Sequence, residues 1–301
     1  MCCTRIMKMM LVLQSWLGLS AFCAGDKPFM TWNNPPKTPQ PLLEHKTYAS
    51  AAMKTDIGYN IYLPPGYAES TQRYPVVYWF HGMNNTESSD QFPAHFLDEG
   101  IRDKTLPPMV MVYACGGQKS FYSDSPDGKW MAETTIIKEL IPHIDATYRT
   151  LATRESRAVQ GMSMGGFGCL KLAFKYPELF SSVVAYAGGY VDPPFLNKKS
   201  PDLIEKMFGG DNAKFEENHP FVWAKKNAEQ IRGRLAVKMY IGNKDYLYDC
   251  NKQMHTLLGE LNIPHEYTEV DGVEHNLVKL SSFAKSEGFK FAAAHFGAAK
   301  Q

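Results

Sequence analysis

The sequence predicts an α/β fold, one domain with a mainly parallel central sheet and helices on both faces. Three observations carry that expectation. From about residue 42 onward, β-type and helix-type segments alternate, which implies crossover connections between parallel strands. The β-type runs are short and almost wholly apolar, as strands are when both faces of their sheet are covered. The chain has 301 residues, 44% hydrophobic and 21% charged, enough to bury one large core.

The chain opens differently. Arg5 and Lys8 precede an apolar run from Met9 to about Phe22, and Ala21, Cys23, Ala24 and Gly25 supply small residues behind it. Residues 1–25 therefore read as a secretory signal peptide, too short in its apolar core for the roughly 20 residues of a spanning helix. Cleavage near Ala24 leaves 30 basic and 31 acidic residues and turns a net charge of +1 into −1, a balance that favours neither nucleic acid nor an anionic membrane. Secretion or a periplasmic location follows, as does a soluble product. Cys23 is a candidate lipid anchor, although Phe22 stands where small residues are expected. Cleavage would leave Cys115, Cys169 and Cys250, an odd number with no metal-type spacing, so buried free thiols are expected.

Residues 26–41 hold Pro28, Pro35, Pro36, Pro39 and Pro41, which excludes helix and predicts an extended arm or linker before a single domain over 42–301. Within that domain the expected strands are NIYL (Asn60 to Leu63), PVVYWF (Pro75 to Phe80), MVMVYA (Met109 to Ala114), SSVVAYA (Ser181 to Ala187), AVKMYI (Ala236 to Ile241) and EYTEV (Glu266 to Val270). RAV, from Arg157, adds a short β-type run. The clearest helices are Glu133 to Tyr148, Gly165 to Tyr176 and Cys250 to Asn262. In a sheet of this kind chemistry lies beyond the carboxyl ends of strands, so candidate residues should stand just after them.

Gly161-Met162-Ser163-Met164-Gly165 passes that test. Glycine and serine are common enough that Gly-x-Ser-x-Gly alone says little, but RAV precedes it, and Phe167, Leu170, Ala173 and Phe174 follow at helical spacing. A serine held in a tight strand-to-helix turn needs small flanks, which Gly161, Gly165 and Gly166 provide. The helix N-terminus then offers N–H groups and positive potential to an oxyanion. A phosphate-binding loop is the competitor, yet neither this run nor GGQKS at Gly116 to Ser120 has its spacing.

Serine needs a base downstream. His219 sits beside Pro220 in a long polar connection, His255 lies inside a helix, His265 precedes a strand and His295 is near the terminus. His275 alone follows a strand, EYTEV, on a glycine-containing loop. The base needs a carboxylate. Asp245, just past AVKMYI and Gly242, is preferred, with Asp249 its near competitor and Asp192 a more distant one. A second oxyanion donor is expected from His81-Gly82, where Gly82 lets the Met83 N–H turn inward beside that of Met164.

Taken together, YNIYLPPGY, YPVVYWFHG, SFYSDSPDGKW, ETTIIKELIPHIDATYRT, RAVQGMSMGGFGCLKLAFKYPELF, IGNKDYLYD and DGVEHN closely resemble the esterase D-like family of α/β-hydrolases, which includes the feruloyl and acetyl-xylan esterases of carbohydrate esterase family 1. The resemblance runs from about Leu42 to Leu280 in the family's order. It implies the α/β-hydrolase fold and an esterase domain. It also implies Ser163 as nucleophile, His275 as base, Asp245 as acid and the main chain of Met83 and Met164 as oxyanion hole. It calls for no cofactor and no metal. One departure is MNNTESS after His-Gly, where family members often carry more glycine. The secreted mycolyltransferases look similar around SFYSD, and cytoplasmic S-formylglutathione hydrolases share the fold but fit poorly with a signal peptide.

The expected function is thus a secreted serine esterase acting on an acylated carbohydrate or small ester, removing feruloyl or acetyl groups from plant polysaccharide. Gly82, Tyr122, Trp130 and the segment Tyr190 to Trp223 are candidates for the substrate pocket. An acyltransferase of the mycolyltransferase type and a non-catalytic carbohydrate-binding protein are the alternatives.

Overall fold

The computed structural model describes residues 28–297; the signal-peptide reading of 1–25, with Cys2, Cys3 and Cys23, lies outside the described residues. The strands are β1 (Glu44–Ser50), β2 (Thr55–Tyr62), β3 (Val76–Phe80), β4 (Val110–Ala114), β5 (Arg157–Met162), β6 (Ser182–Tyr186), β7 (Ala236–Gly242) and β8 (His265–Val270). They form one sheet in the order β1-β2-β4-β3-β5-β6-β7-β8. β1, β2 and β4 pair antiparallel, and every pairing from β4 through β8 is parallel. This is the α/β-hydrolase arrangement, with every residue of β3, β4, β5 and β6 buried. The apolar runs announced those four strands. β1, EHKTYAS, escaped because it is an edge strand whose charged residues face solvent.

Helices cover both faces. α1 (Phe92–Arg102) follows the β3 loop, and α4 (Met164–Lys175) leaves β5 with its shaft wholly buried as far as Phe174. The helix expected over Glu133 to Tyr148 is broken into α2 (Ala132–Thr134), a π-helical stretch (Thr135–Leu140) and α3 (Ile141–Thr147). Pro142, without an N–H, cannot donate to the carbonyl one turn back, so the hydrogen-bond ladder changes pitch just before it.

The segment after β6 is not the loop its polarity suggests. It folds as α5 (Pro193–Lys199), α6 (Leu203–Phe208), α7 (Asn212–Glu217), α8 (Pro220–Lys226) and α9 (Ala228–Ile231). Three of these starts are capped by side chains: Asp192 accepts from the Phe195 N–H, Asp211 from Ala213 and His219 from Phe221. α10 (Tyr248–Glu260), α11 (Leu277–Ala284) and α12 (Glu287–His295) complete the chain.

The proline-rich segment is docked against the domain and does not hang free as a linker. Met30 and Trp32 are buried, and the Trp32 carbonyl accepts from Gly58 N–H at 2.7 Å. Asn34 donates from both its main chain and its side chain to buried Glu87, which ties the arm to the loop after β3.

Candidate active site

β5 delivers the chain into a strained turn. Ser163 has φ 58° and ψ −116°, a conformation that non-glycine residues avoid, and it persists because its neighbours fix it. Ser163 N–H donates to the Tyr186 carbonyl at 2.9 Å, while its own carbonyl accepts from Phe167 at 3.0 Å and Gly189 at 2.8 Å. A Cβ on Gly165 would collide with the Phe80 carbonyl, and one on Gly161 with the Gly165 carbonyl. The sharpness of the elbow therefore depends on those two glycines.

The loops after β7 and β8 are tied to each other. Asn243 N–H donates to the Val270 carbonyl and Lys244 N–H to that of Val273, each at 3.0 Å. This brings together the two residues proposed as acid and base from widely separated motifs. His275 Nδ1 lies 2.8 Å from Asp245 Oδ2, and His275 Nε2 lies 3.0 Å from Ser163 Oγ. Asp245 is inaccessible, and its second oxygen accepts from Leu247 N–H at 2.8 Å. A carboxylate can only accept, so Nδ1 carries the proton and Nε2 faces the serine hydroxyl as an acceptor. His275 keeps 21% of its side chain exposed, enough for a substrate to reach it. Asp249 is exposed in the first turn of α10, and Asp192 caps α5. Neither is a hydrogen-bond partner of His275.

Across from the base stands the β3 loop. A Cβ on Gly82 would lie 3.5 Å from Ser163 Cβ, which places that main chain against the nucleophile. Among the described residues, the N–H groups of Met83 and Met164 are spent on no other acceptor, which leaves both free for an oxyanion. His81 is not a second base. It is buried, its Nδ1–H donates to the Gly82 carbonyl at 2.9 Å and its Nε2 accepts from Gly116 N–H at 3.2 Å. Burial holds its pKa below the ordinary histidine value, so the ring is a neutral clamp on the oxyanion loop.

Two expected pocket residues lie elsewhere. Tyr122 is fully buried, stacked on Phe80, and its hydroxyl donates to the His81 carbonyl at 3.0 Å. It braces the oxyanion loop from below and is not part of the lining over Ser163. Trp130 packs against Phe29 with ring centroids 6.0 Å apart, in the turn closed by Ser125. Several aromatic residues between Tyr190 and Trp223 are packing as well: Phe215 and His219 close on Phe167 of α4, and Phe208 packs on Phe215.

The cavity over Ser163, about 220 Å³, is lined by Gly82, Met83, Asn85, Asp90, Met162, Ser163, His275 and Leu277. Asn85, Asp90 and Leu277 were not anticipated. Asn85 belongs to the departure after His-Gly and Asp90 directly follows it, and Asn85 Nδ2 donates to Asp90 Oδ2 at 2.8 Å across that rim. Their only signal was adjacency to a motif. Cys115, Cys169 and Cys250 are free; burial pushes the Cys250 thiol up to about 12 and raises the other two as well, so none competes as a nucleophile.

The family model described as "Putative esterase" matches residues 50–278. An esterase of Mycobacterium tuberculosis is 39% identical over 152 residues, 49% of this chain and 32% of that protein. The endo-1,4-beta-xylanase/feruloyl esterase of Xylanibacter ruminicola is 34% identical over 163 residues, 50% of this chain and 22% of that protein. The chain thus spans less than a third of the length of these relatives. Among solved structures, a ferulic acid esterase superposes with TM-score 0.73 at 23% identity, over 85% of this chain and 98% of that one. The S-formylglutathione hydrolase of Agrobacterium tumefaciens gives 0.69 at 20% identity, over 84% and 95%. At these identities the structural likeness speaks for the fold alone.

Proposed function

This chain belongs to the Putative esterase family, and from that premise we propose that it is a serine carboxylic-ester hydrolase in which Ser163 is the nucleophile, His275 the general base and acid, and Asp245 the orienting carboxylate. The observation that carries the reading is the continuous pair of hydrogen bonds Ser163–His275–Asp245, at 3.0 and 2.8 Å. His275 Nε2 takes the proton as Ser163 Oγ attacks the ester carbon. The N–H groups of Met83 and Met164 receive the carbonyl oxygen as it becomes an oxyanion, and Asp245 stabilises the imidazolium. The same histidine proton then passes to the departing alkoxide. Water, activated by His275 in turn, releases the acid from Ser163.

For substrate we propose feruloyl or acetyl esters of plant polysaccharide such as xylan. The kinship with a protein named as a xylanase and feruloyl esterase supports that choice. A cavity of about 220 Å³ is below the roughly 300–1,000 Å³ of sites for drug-sized ligands, and so suits an acyl group without its sugar. A secreted or periplasmic location remains part of the proposal.

The test is labelling with a fluorophosphonate together with hydrolysis of methyl ferulate and p-nitrophenyl acetate. Stoichiometric labelling, ester turnover and loss of both on Ser163→Ala are expected. A purified protein that neither labels nor cleaves either ester would overturn the reading.

A further inference from the structure

Among the described residues the exposed large hydrophobic side chains are Tyr246, Val278 and Phe283, and of these Tyr246 joins other side chains in a contiguous patch beside the catalytic histidine. Tyr246 follows the acid Asp245 directly. It is 59% exposed, and its ring centroid lies 4.8 Å from that of His275. Phe195 of α5 lies alongside it, 6.1 Å away and nearly parallel at 11°. Lys199, one turn later on α5, holds its Nζ 5.3 Å over the Tyr246 ring and 5.8 Å over Phe195. No carboxylate among the described residues pairs with Lys199, whereas Lys206 of α6 is held by Asp202 at 2.9 Å. The platform is also fixed in place. The turn that presents Tyr246 is closed by Asp245 N–H to the Gly242 carbonyl at 3.0 Å and Leu247 N–H to Asp245 Oδ1 at 2.8 Å.

The position of this platform decides which part of an ester reaches it. The carbonyl oxygen turns toward Met83 and Met164, whereas the alcohol oxygen must face His275 Nε2 to receive its proton. The alcohol therefore leaves over the histidine, and the cavity is too small to hold it together with the acyl group. An exposed aromatic face beside that exit matches the C–H face of a pyranose or furanose ring, which is apolar while its edge is hydroxylated. The free ammonium of Lys199 adds attraction for a carboxylate carried on a neighbouring sugar.

We propose that Tyr246, Phe195 and Lys199 form a leaving-group subsite for a sugar chain bearing a uronic acid substituent. This rests on the esterase reading of Ser163 and adds the identity of the alcohol. The experiment compares methyl ferulate with two feruloylated arabinoxylo-oligosaccharides, one neutral and one carrying glucuronate, using Tyr246→Ala and Lys199→Gln. Tyr246→Ala should lower kcat/KM for both oligosaccharide esters by about tenfold, mainly through KM, with a several-fold smaller loss on methyl ferulate. Lys199→Gln should lower only the glucuronate-bearing ester, by about two- to fivefold at low salt, and less as salt is raised.

Equal losses on all three esters would overturn the proposal, because Tyr246 would then act only by holding His275. Losses that follow ferulate against acetate on one alcohol would overturn it too, by placing the platform on the acyl side. Titration of the Ser163→Ala protein with unesterified glucuronoxylo-oligosaccharide, read by isothermal titration calorimetry, judges the subsite without catalysis. Saturable binding that disappears with Tyr246→Ala supports it, and absence of binding overturns it. A wild type that binds the sugar but cleaves no ester would refute the esterase reading and leave the sugar subsite standing.

Discussion

The two ends of α4 put the same kind of chemistry to opposite uses. At its N-terminus a base and a carboxylate, His275 and Asp245, stand beside a strained serine with part of the imidazole open to solvent. Two turns along the same helix, Lys171 is fully buried, bonded to Glu133 at 2.7 Å, to the Tyr122 carbonyl at 2.9 Å and to Ser123 Oγ at 2.8 Å. Lys175 and Tyr176 donate to the other oxygen of Glu133. Burial alone would raise the Glu133 pKa, but the Lys171 charge and the donated bonds outweigh it and hold it at about 2. All three protons of the Lys171 ammonium are committed. The difference lies in the unspent hydrogen bond: the serine hydroxyl at the mouth has one partner and an open side, whereas the shaft cluster has none to offer a substrate. The Glu133 cluster grips the segment after β4 through Tyr122, the residue that braces His81.

The largest expected effect comes from breaking the mouth. Asp245→Asn keeps the shape but offers an amide that no longer fixes a proton on Nδ1, so His275 can present Nε2–H to the serine and cease to be a base. A fall of about 10⁴-fold in kcat is expected with the folded state little changed, checked by steady-state hydrolysis beside a thermal melt. The same substitution at Asp249, which faces solvent, should leave the rate within about twofold. A large loss at Asp249 would reverse the assignment of the acid.

Breaking the shaft should do the reverse. Glu133→Gln leaves Lys171 buried with no charge partner, and a loss of about 3–5 kcal/mol in unfolding free energy by urea titration is expected, part of it relieved if Lys171 sheds its proton. The substituted residue also has a signature in acid. The folded-state pKa of about 2 lies below the ordinary 4.5, so its contribution is present above about pH 4.5 and drains away as pH falls toward 2. The variant should lack that part of the acid slope. Fluorophosphonate labelling of whatever protein remains folded should persist, because no atom of Glu133 reaches the serine.

The contrast also explains what could be read in the sequence. The mouth was legible because its parts obey local rules: a glycine pair where no Cβ fits, a histidine and an aspartate each just past a strand, a glycine after His81. These constraints act over a few residues. The shaft is made by contacts between distant segments, and sequence spacing carries no trace of them. Tyr122 looked like a pocket aromatic because its neighbours are loop-like, yet it is fully buried beneath the oxyanion loop. His219 reads as part of a long polar connection and is the cap of α8. Glu133 and Lys171 stand 38 positions apart on two separate segments, and nothing in their spacing announces the ion pair between them. Tyr246 failed to stand out for the opposite reason, because an exposed aromatic after an acid is indistinguishable in sequence from a buried one.

His219 sharpens the comparison most finely, because it is a histidine on the sealed side of the helix that His275 serves on the open side. Its ring lies 5.2 Å from Phe167 and 4.8 Å from Phe221, and its Nδ1 accepts from Phe221 N–H at 3.3 Å. Burial lowers its pKa from 6.5 to about 4 against the weaker opposing pull of the Val191 and Tyr190 main chain. The unfolded chain therefore takes up a proton that the folded one refuses between pH 6.5 and about 4, and stability must fall as pH falls through that window. The loss expected from this one group is about 2 kcal/mol, after allowance for the solvent that still reaches the ring. Asparagine at the same place retains an acceptor for the α8 cap but cannot titrate. His219→Asn should accordingly start less stable near pH 7, having lost its aromatic packing, and then show a flatter decline to pH 4 than the wild type in urea titrations. Since Glu133 drains below that window, the two slopes are separable in one pH series. Parallel declines in variant and wild type would mean that the ring is hydrated in the folded state, and that this flank of α4 is more open than its packing implies.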